Sequence, residues 1–178
     1  WKFLIENFIE PYHVQFVHKS TTNQPLKDHY TIVDGICYGS GVDVKQEDNK
    51  NSSALSVTSR YLSLFPNFII GTYFPNQIGV YLNVPISPGV TSQKRTIYTT
   101  DGKDMSKEES DIVKKIWWSV HKEDHEMCER LQEGRLSPAS NQGGLLSPYW
   151  EKGVQKFQKL IIQATMKSSK TMKGKKNV

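Results

Sequence analysis

Between residues 28 and 99 the chain is a succession of short β-branched and aromatic runs, HYTIV, ICYGSGVDV, ALSVTSRYLSLF, NFIIGTYF, IGVYLNVP and KRTIYTT. They are punctuated by Asp34-Gly35, Pro66-Asn67, Pro75-Asn76 and Pro88-Gly89. Antiparallel strands can be joined by such tight turns, so this block predicts a meander of about six to seven antiparallel strands. The polar stretch 45–53 reads as one long hairpin loop within it. Helical patterns lie only outside the block. WKFLIENFIEPYHVQFVHKS is broken by Pro11, which predicts two short helices meeting near Glu10–Pro11. After the strands, Ser106 with Glu109 forms a capping box for a helix running to about Gln132. A last helix is predicted from Ser147-Pro148, with Val154, Phe157, Leu160, Ile161 and Ala164 as its apolar stripe. Strands grouped together and helices grouped at either end predict an α+β domain, with helices on one face of the sheet.

A formal charge of +5 points first to nucleic acid. The charge is not spread over the chain, however. Five lysines lie in residues 167–178, and taking those five away leaves 18 basic side chains against 18 acidic ones. A neutral body over 1–166 with a basic tail, expected to be disordered, argues for neither a nucleic-acid nor a membrane partner. No apolar run nears the ~18 residues of a membrane span. Cys37 and Cys128 are far apart and outside any CxxC or CxH pair, so a disulfide framework, a structural zinc site and an iron–sulfur cluster within this chain are all disfavoured. A reducing, cytoplasmic setting is the expectation.

One residue breaks the pattern of the 106–132 helix. At 100° per residue, with Val113 at 0°, Trp117 falls at about 40°, Val120 at about 340° and Leu131 near 0°, while Asp124 falls at about 20°. A lone carboxylate in an apolar stripe is costly unless it is paired or binds a metal. A buried salt bridge would satisfy it. So would ligation beside His13 and His18 of the N-terminal segment, which are five apart and about 140° around a regular helix. They converge only if the helix ends or tightens between them. Two histidines and one carboxylate would leave positions open at a non-haem Fe(II) centre, although the same donors also suit zinc.

The motifs agree with the first of these. ENFIEPYHVQFVH (6–18) resembles the E-N-x2/3-[DE]-x-Y-H-x4-H motif of Rieske-type non-haem iron oxygenase α subunits. EDHEMCERLQ (123–132) is similar to that family's E-D-x4-E-x2-Q helix, and GLLSPYWEKGVQKF (144–157) to its closing G-x-x-S-x2-E-x-G-V-x2-F helix. The resemblance implies a helix-grip fold, a curved antiparallel sheet packed on a long C-terminal helix. It implies His13, His18 and Asp124 as ligands of a mononuclear Fe(II), and Glu10 as a carboxylate bridging an iron-bound histidine to a cluster-ligand histidine of a neighbouring subunit. Asn7 matches a family asparagine near the iron. The C-x-H and C-x2-H ligands of a Rieske [2Fe-2S] cluster are not in this chain, so it is expected to be the catalytic domain of a longer α subunit whose Rieske domain lies elsewhere. Implied partners are O2, a small organic substrate, a reductase or ferredoxin acting through the Rieske domain, and two further copies in a homotrimer. The family setting implies aromatic hydrocarbon catabolism. The short Asn7–Glu10 spacing and the Glu at position 10 look more like members acting on quaternary amines.

Other chemistry is weaker. His121 and His125 lie on a mostly outer helix face and are expected to be solvated. Trp117 and Trp118 cannot both face inward, and Ser147 reads as a helix cap, not a nucleophile. The functional expectation is an oxygenase domain that hydroxylates or oxidatively demethylates its substrate. The alternatives are a non-catalytic helix-grip binding module and a zinc hydrolase.

Overall fold

The computed structural model describes residues 1–19, 21–22, 24–44, 58–73 and 76–174. Two short helices, α1 (Lys2–Ile9) and α2 (Val14–Val17), open the chain on either side of Pro11. Six strands follow, β1 (His29–Asp34), β2 (Cys37–Val42), β3 (Ser59–Leu64), β4 (Phe68–Tyr73), β5 (Gln77–Ser87) and β6 (Val90–Thr99). They pair antiparallel in sequence order, as the turn pairs predict. The first hairpin closes with Asp34 opposite Cys37, and Gly35 takes φ 57 in the turn, a conformation glycine adopts without steric cost. The expected loop over 45–53 lies outside the described residues.

Helix α3 (Lys107–Gly134) starts at Ser106, whose hydroxyl accepts from the Glu109 N–H while the Glu109 carboxylate accepts from the Ser106 N–H. Helix α4 (Lys152–Gly174) departs from expectation at both ends. It begins at Lys152 because Ser147 caps a separate turn, accepting from the N–H groups of Tyr149 and Trp150. It continues to Gly174, past the point where a disordered tail was expected. No glycine or proline interrupts 154–173, and Lys, Met and Gln are good helix formers, so the backbone lacks a stop signal there. Residues 175–178 are outside the described part.

Register decides which side chains share the inner face of the sheet, because directly paired residues point the same way. One row runs His29–Val42–Ser59–Tyr73–Gln77, the next Ser40–Tyr61–Gly71–Gly79, and a third Tyr38–Ser63–Ile69–Tyr81–Arg95. Helix α1 packs against β2 and β3, and α4 against β1 and β2. The core forms where they meet, from Ile5, Ile9, Tyr38, Ile69, Tyr81, Val154 and Phe157. The other half of the inner face, carrying His29, Tyr61, Tyr73 and Arg95, is left to a cavity beneath α3. Among the described residues no helix is long and apolar enough to cross a membrane.

Candidate metal centre

The two histidines of the first motif flank a helix of only four residues, His13 preceding Val14 and His18 following Val17. Their 140° separation therefore never has to be honoured by a continuing helix. The backbone leaves helical geometry at His18 (φ −98, ψ 31), and the two rings meet edge to face with centroids 5.1 Å apart. Across from them α3 delivers Asp124, whose Oδ1 lies 3.0 Å from His18 Nε2 and 3.5 Å from His13 Nε2. One donor atom from each of the three falls within 4.8 Å of the others.

The outward-facing nitrogens set the chemistry of the inward-facing ones. His13 Nδ1 is 2.5 Å from Glu10 Oε1, and Glu10 also accepts from the Tyr12 and His13 N–H groups. His18 Nδ1 is 2.7 Å from Glu123 Oε2, which accepts a second bond from Thr21 Oγ1 at 2.9 Å. A carboxylate on each Nδ1 fixes the tautomer that protonates it, leaving both Nε2 lone pairs aimed at Asp124 Oδ1. Three lone pairs then face one point, and the buried Asp124 Oδ1 has no hydrogen-bond partner. That arrangement asks for a cation. Without a metal, burial opposes the charge of Asp124, but His18 protonated on Nε2 as well, by its hydrogen bond and charge, with His13 and Arg95 beyond it, holds the carboxyl below its ordinary value. Burial likewise opposes charge on His18, yet Asp124 and Glu123 raise its affinity for a proton. A metal ion bound there would take the place of that proton. Two imidazoles and one carboxylate with open positions suit Fe(II), so the donor set fits the implied metal.

Glu123 lies about 100° from Asp124 on its helix, a position that reads as an edge residue. It instead turns back to hold His18, and the signal was its place beside Asp124 in the Glu-Asp pair. His121 is not solvated, contrary to what its helix face predicts. It is half-buried with Nδ1 lacking a partner, and burial, followed by the charge of Arg95, pushes its ring down to about 4. His125 is exposed and pairs with Glu129. Trp117 faces inward against Tyr73 with ring centroids 4.2 Å apart, while Trp118 is 69% exposed. Leu131, expected in the core stripe, is 43% exposed and lines a surface groove with α1 residues and the 145–158 segment.

A cavity of about 50 Å³ adjoins the three donors. Asn7, buried with an unpartnered Nδ2, lines it, as do Glu10 and His13. These three also line a groove on the far side, between α1, α3 and the 145–158 segment, so they form the wall between cavity and surface. The remaining walls are aromatic, from Tyr61, Tyr73, Tyr81 and Trp117. Tyr73 and Tyr81 lie back along their own strands over Gly71 and Gly79, where a Cβ would come within 2.3 Å and 2.6 Å of the respective hydroxyls. The hydroxyls meet at 3.1 Å. The repeated Ile-Gly-x-Tyr of 70–73 and 78–81 is the sequence signal for this wall, and it passes unremarked among ordinary strand residues.

His29 lines the same cavity, 2% exposed, with neither ring nitrogen partnered. Burial, with the nearby His13 charge, pushes its ring from 6.5 down to about 4. Between these values the unfolded chain binds a proton that the folded chain refuses, so stability is lost as pH falls through that window. The loss from this residue is up to about 3 kcal/mol by pH 4. Urea unfolding of the metal-free protein at about pH 7 and about pH 4.5 should show a smaller acid loss for His29→Gln than for wild type. Equal losses would mean that His29 is not the residue responsible.

Comparison with known proteins agrees with this geometry. Residues 1–166 match the family model described as the ring-hydroxylating alpha subunit, catalytic domain. Choline monooxygenase, chloroplastic, of Atriplex hortensis is 27% identical over 161 residues, covering 88% of this chain and 35% of that protein. The spinach (Spinacia oleracea) enzyme of the same name is 24% identical over 173 residues, covering 94% and 38%. Crystal structures of the quaternary ammonium Rieske monooxygenase CntA superpose with a TM-score of 0.69 at 15% identity for an inhibitor complex, and 0.66 at 16% identity for the L-carnitine complex. Each covers 92% of this chain and 45% of CntA. The chain thus spans less than half the length of the proteins it matches. CntA is named as a quaternary ammonium monooxygenase with L-carnitine as a substrate, and aromatic hydrocarbon catabolism finds no support among these proteins. By fold, by motif and by the length of the match, the chain belongs to the ring-hydroxylating oxygenase α-subunit family, as its catalytic domain.

Proposed function

We propose that this domain serves a Rieske-type monooxygenase that hydroxylates or oxidatively demethylates a small quaternary ammonium compound. The observation that carries the reading is the convergence of His13 Nε2, His18 Nε2 and Asp124 Oδ1 beside an aromatic-walled cavity. His13, His18 and Asp124 would hold Fe(II). That ion, when bound, supplies the redox chemistry by which O2 reacts with the substrate. The chain's own residues do the rest. Glu10 and Glu123 hold the Nδ1 protons and so keep each imidazole facing inward. Tyr61, Tyr73 and Trp117 exclude water and offer π faces to a trimethylammonium group, an attraction worth up to about 2 kcal/mol where desolvated. Burial pushes the Tyr61 hydroxyl up to about 12 and that of Tyr73 well above 10, so the wall stays uncharged.

Electrons would come from a Rieske [2Fe-2S] cluster outside this chain, supplied by a reductase or ferredoxin. Glu10, hydrogen-bonded to His13 and lining both the cavity and the outer groove, would link the two centres across a homotrimer. Overall, C–H, O2, two electrons and two protons give C–OH and water. The test is turnover of the full-length α subunit with Fe(II), reductase and 18O2 against a panel of quaternary amines and arenes. The reading expects one 18O atom in a hydroxylated product, or in the aldehyde released by demethylation, from a quaternary amine. Turnover confined to arenes would sink it. A Zn(II)-loaded protein that hydrolyses esters without O2 would favour the hydrolase, and binding without turnover would favour the non-catalytic module.

A further inference from the structure

Arg95 is the only lysine or arginine among the described residues lining the cavity. It stands opposite Tyr81 in the β5–β6 register, with its guanidinium carbon 4.4 Å from the centre of the Tyr81 ring. Its Nε is buried without a hydrogen-bond partner, and none of the ion pairs among the described residues includes it. Tyr81 therefore satisfies the flat face of the guanidinium but not its N–H edge, since the Tyr81 hydroxyl is turned to Tyr73. Arg95 is half-buried, and a guanidinium whose buried Nε has no acceptor gains from a partner that completes its donor edge; the planar fork matches a carboxylate. His29 is idle in the same cavity, with both nitrogens unpartnered. The polar groups of this cavity are therefore incomplete without an occupant.

We propose that Arg95 is the anion-binding residue of the cavity, and that it makes the domain select quaternary amines carrying a carboxylate over those ending in a neutral group such as an alcohol. The proposal rests on the quaternary amine reading given above. A purely cationic substrate would share the cavity with a like charge. In a substrate carrying both charges, a carboxylate on Arg95 turns that repulsion into an ion pair, while the ammonium keeps the Tyr61, Tyr73 and Trp117 surfaces that Arg95 does not cover.

The test is calorimetric binding to the Fe(II)-loaded chain under anaerobic conditions, with three probes of matched shape. They are 4-(trimethylammonio)butanoate, its methyl ester, and 5,5-dimethylhexanoate, the carbon isostere that keeps the carboxylate and lacks the cation. Wild type is expected to bind the first at least about tenfold tighter than the ester, the scale of a charge-assisted hydrogen-bonded pair. Arg95→Gln should bring that ratio to within about twofold without weakening the ester, and Arg95→Lys should keep part of it. An undiminished ratio in Arg95→Gln overturns the proposal, as does equal affinity for acid and ester in wild type. Should Arg95→Gln fail to fold, an undiminished ratio in Arg95→Lys overturns it instead. Arg95-dependent binding of 5,5-dimethylhexanoate with no binding of either ammonium probe would keep the anion site and reject the quaternary amine reading. Binding of both ammonium probes alike would do the reverse. Binding of none of the three rejects both.

Discussion

Asp124→Ala is expected to abolish specific Fe(II) binding while leaving the fold intact. Asp124 contributes the only charge among the three convergent donors, and its Oδ1 is the point on which both Nε2 atoms are trained. Removing it leaves two neutral imidazoles, so the loss should exceed the roughly 10–100-fold that removing a ligand-orienting partner costs. Glu123→Gln supplies that smaller step, because it keeps the size of the group that holds His18 Nδ1 and loses its charge. The ordering wild type, Glu123→Gln, Asp124→Ala is thus the prediction, read by anaerobic Fe(II) titration. Thermal unfolding reads it independently. A ligand bound only by the folded state stabilises it by about 2.7 kcal/mol at a hundred times Kd. Fe(II) should therefore raise the melting temperature of wild type and not of Asp124→Ala. Without metal the substitution should cost some stability where His18 is protonated, since it removes the carboxylate paired with that ring, and the comparison with and without Fe(II) separates this loss from the metal effect. Wild-type Fe(II) affinity in Asp124→Ala would refute the ligand assignment.

That asymmetry explains what was legible in the sequence. Asp124 announces itself because a carboxylate in an apolar stripe violates a rule that the residues around it obey. The strand order and the Ser106 capping box are legible for a similar reason, since turn and cap chemistry are written in residues a few positions apart. What binds those features into a site is not local. Whether His13 and His18 converge depends on α2 ending after one turn, where the backbone leaves helical geometry at His18. Glu123 sits one residue from Asp124, 100° around the helix, and reads as an edge residue until His18 is brought against it. Arg95 looks like any polar residue of an edge strand. Its role appears only when register sets it opposite Tyr81 and α3 closes the cavity over both. The tail was misread in the other direction, because low periodicity argues against burial and not against helix.

Gly39→Ala is expected to be the most destabilising single-methyl addition in the sheet. Gly39 pairs with Leu62 between β2 and β3, and a Cβ there would lie 1.8 Å from the Tyr61 carbonyl oxygen and 2.8 Å from its carbon. Both are backbone atoms, so no rotamer change relieves the clash, and the two strands would have to part. Helix α4 adds to the constraint, since the Cβ position of Gly153 falls 3.4 Å from the Gly39 nitrogen. Overpacking of this kind costs about 1–3 kcal/mol where side chains can adjust and more where they cannot, so about 3 kcal/mol or more is the expectation. Gly144→Ala, at a site with open space around the added carbon and no left-handed φ, is the matched control and should fall within about 0.5 kcal/mol of wild type. Urea midpoints of the two variants make the comparison. The effect should reach the site as well, because Tyr61 belongs to the strand that must move and its ring walls the cavity. Gly39→Ala protein that remains folded should therefore bind a trimethylammonium probe more weakly than Gly144→Ala while binding Fe(II) equally well, since none of the three metal donors comes from the sheet. Equal stability in the two variants would mean that β2 and β3 are not held at the spacing seen here.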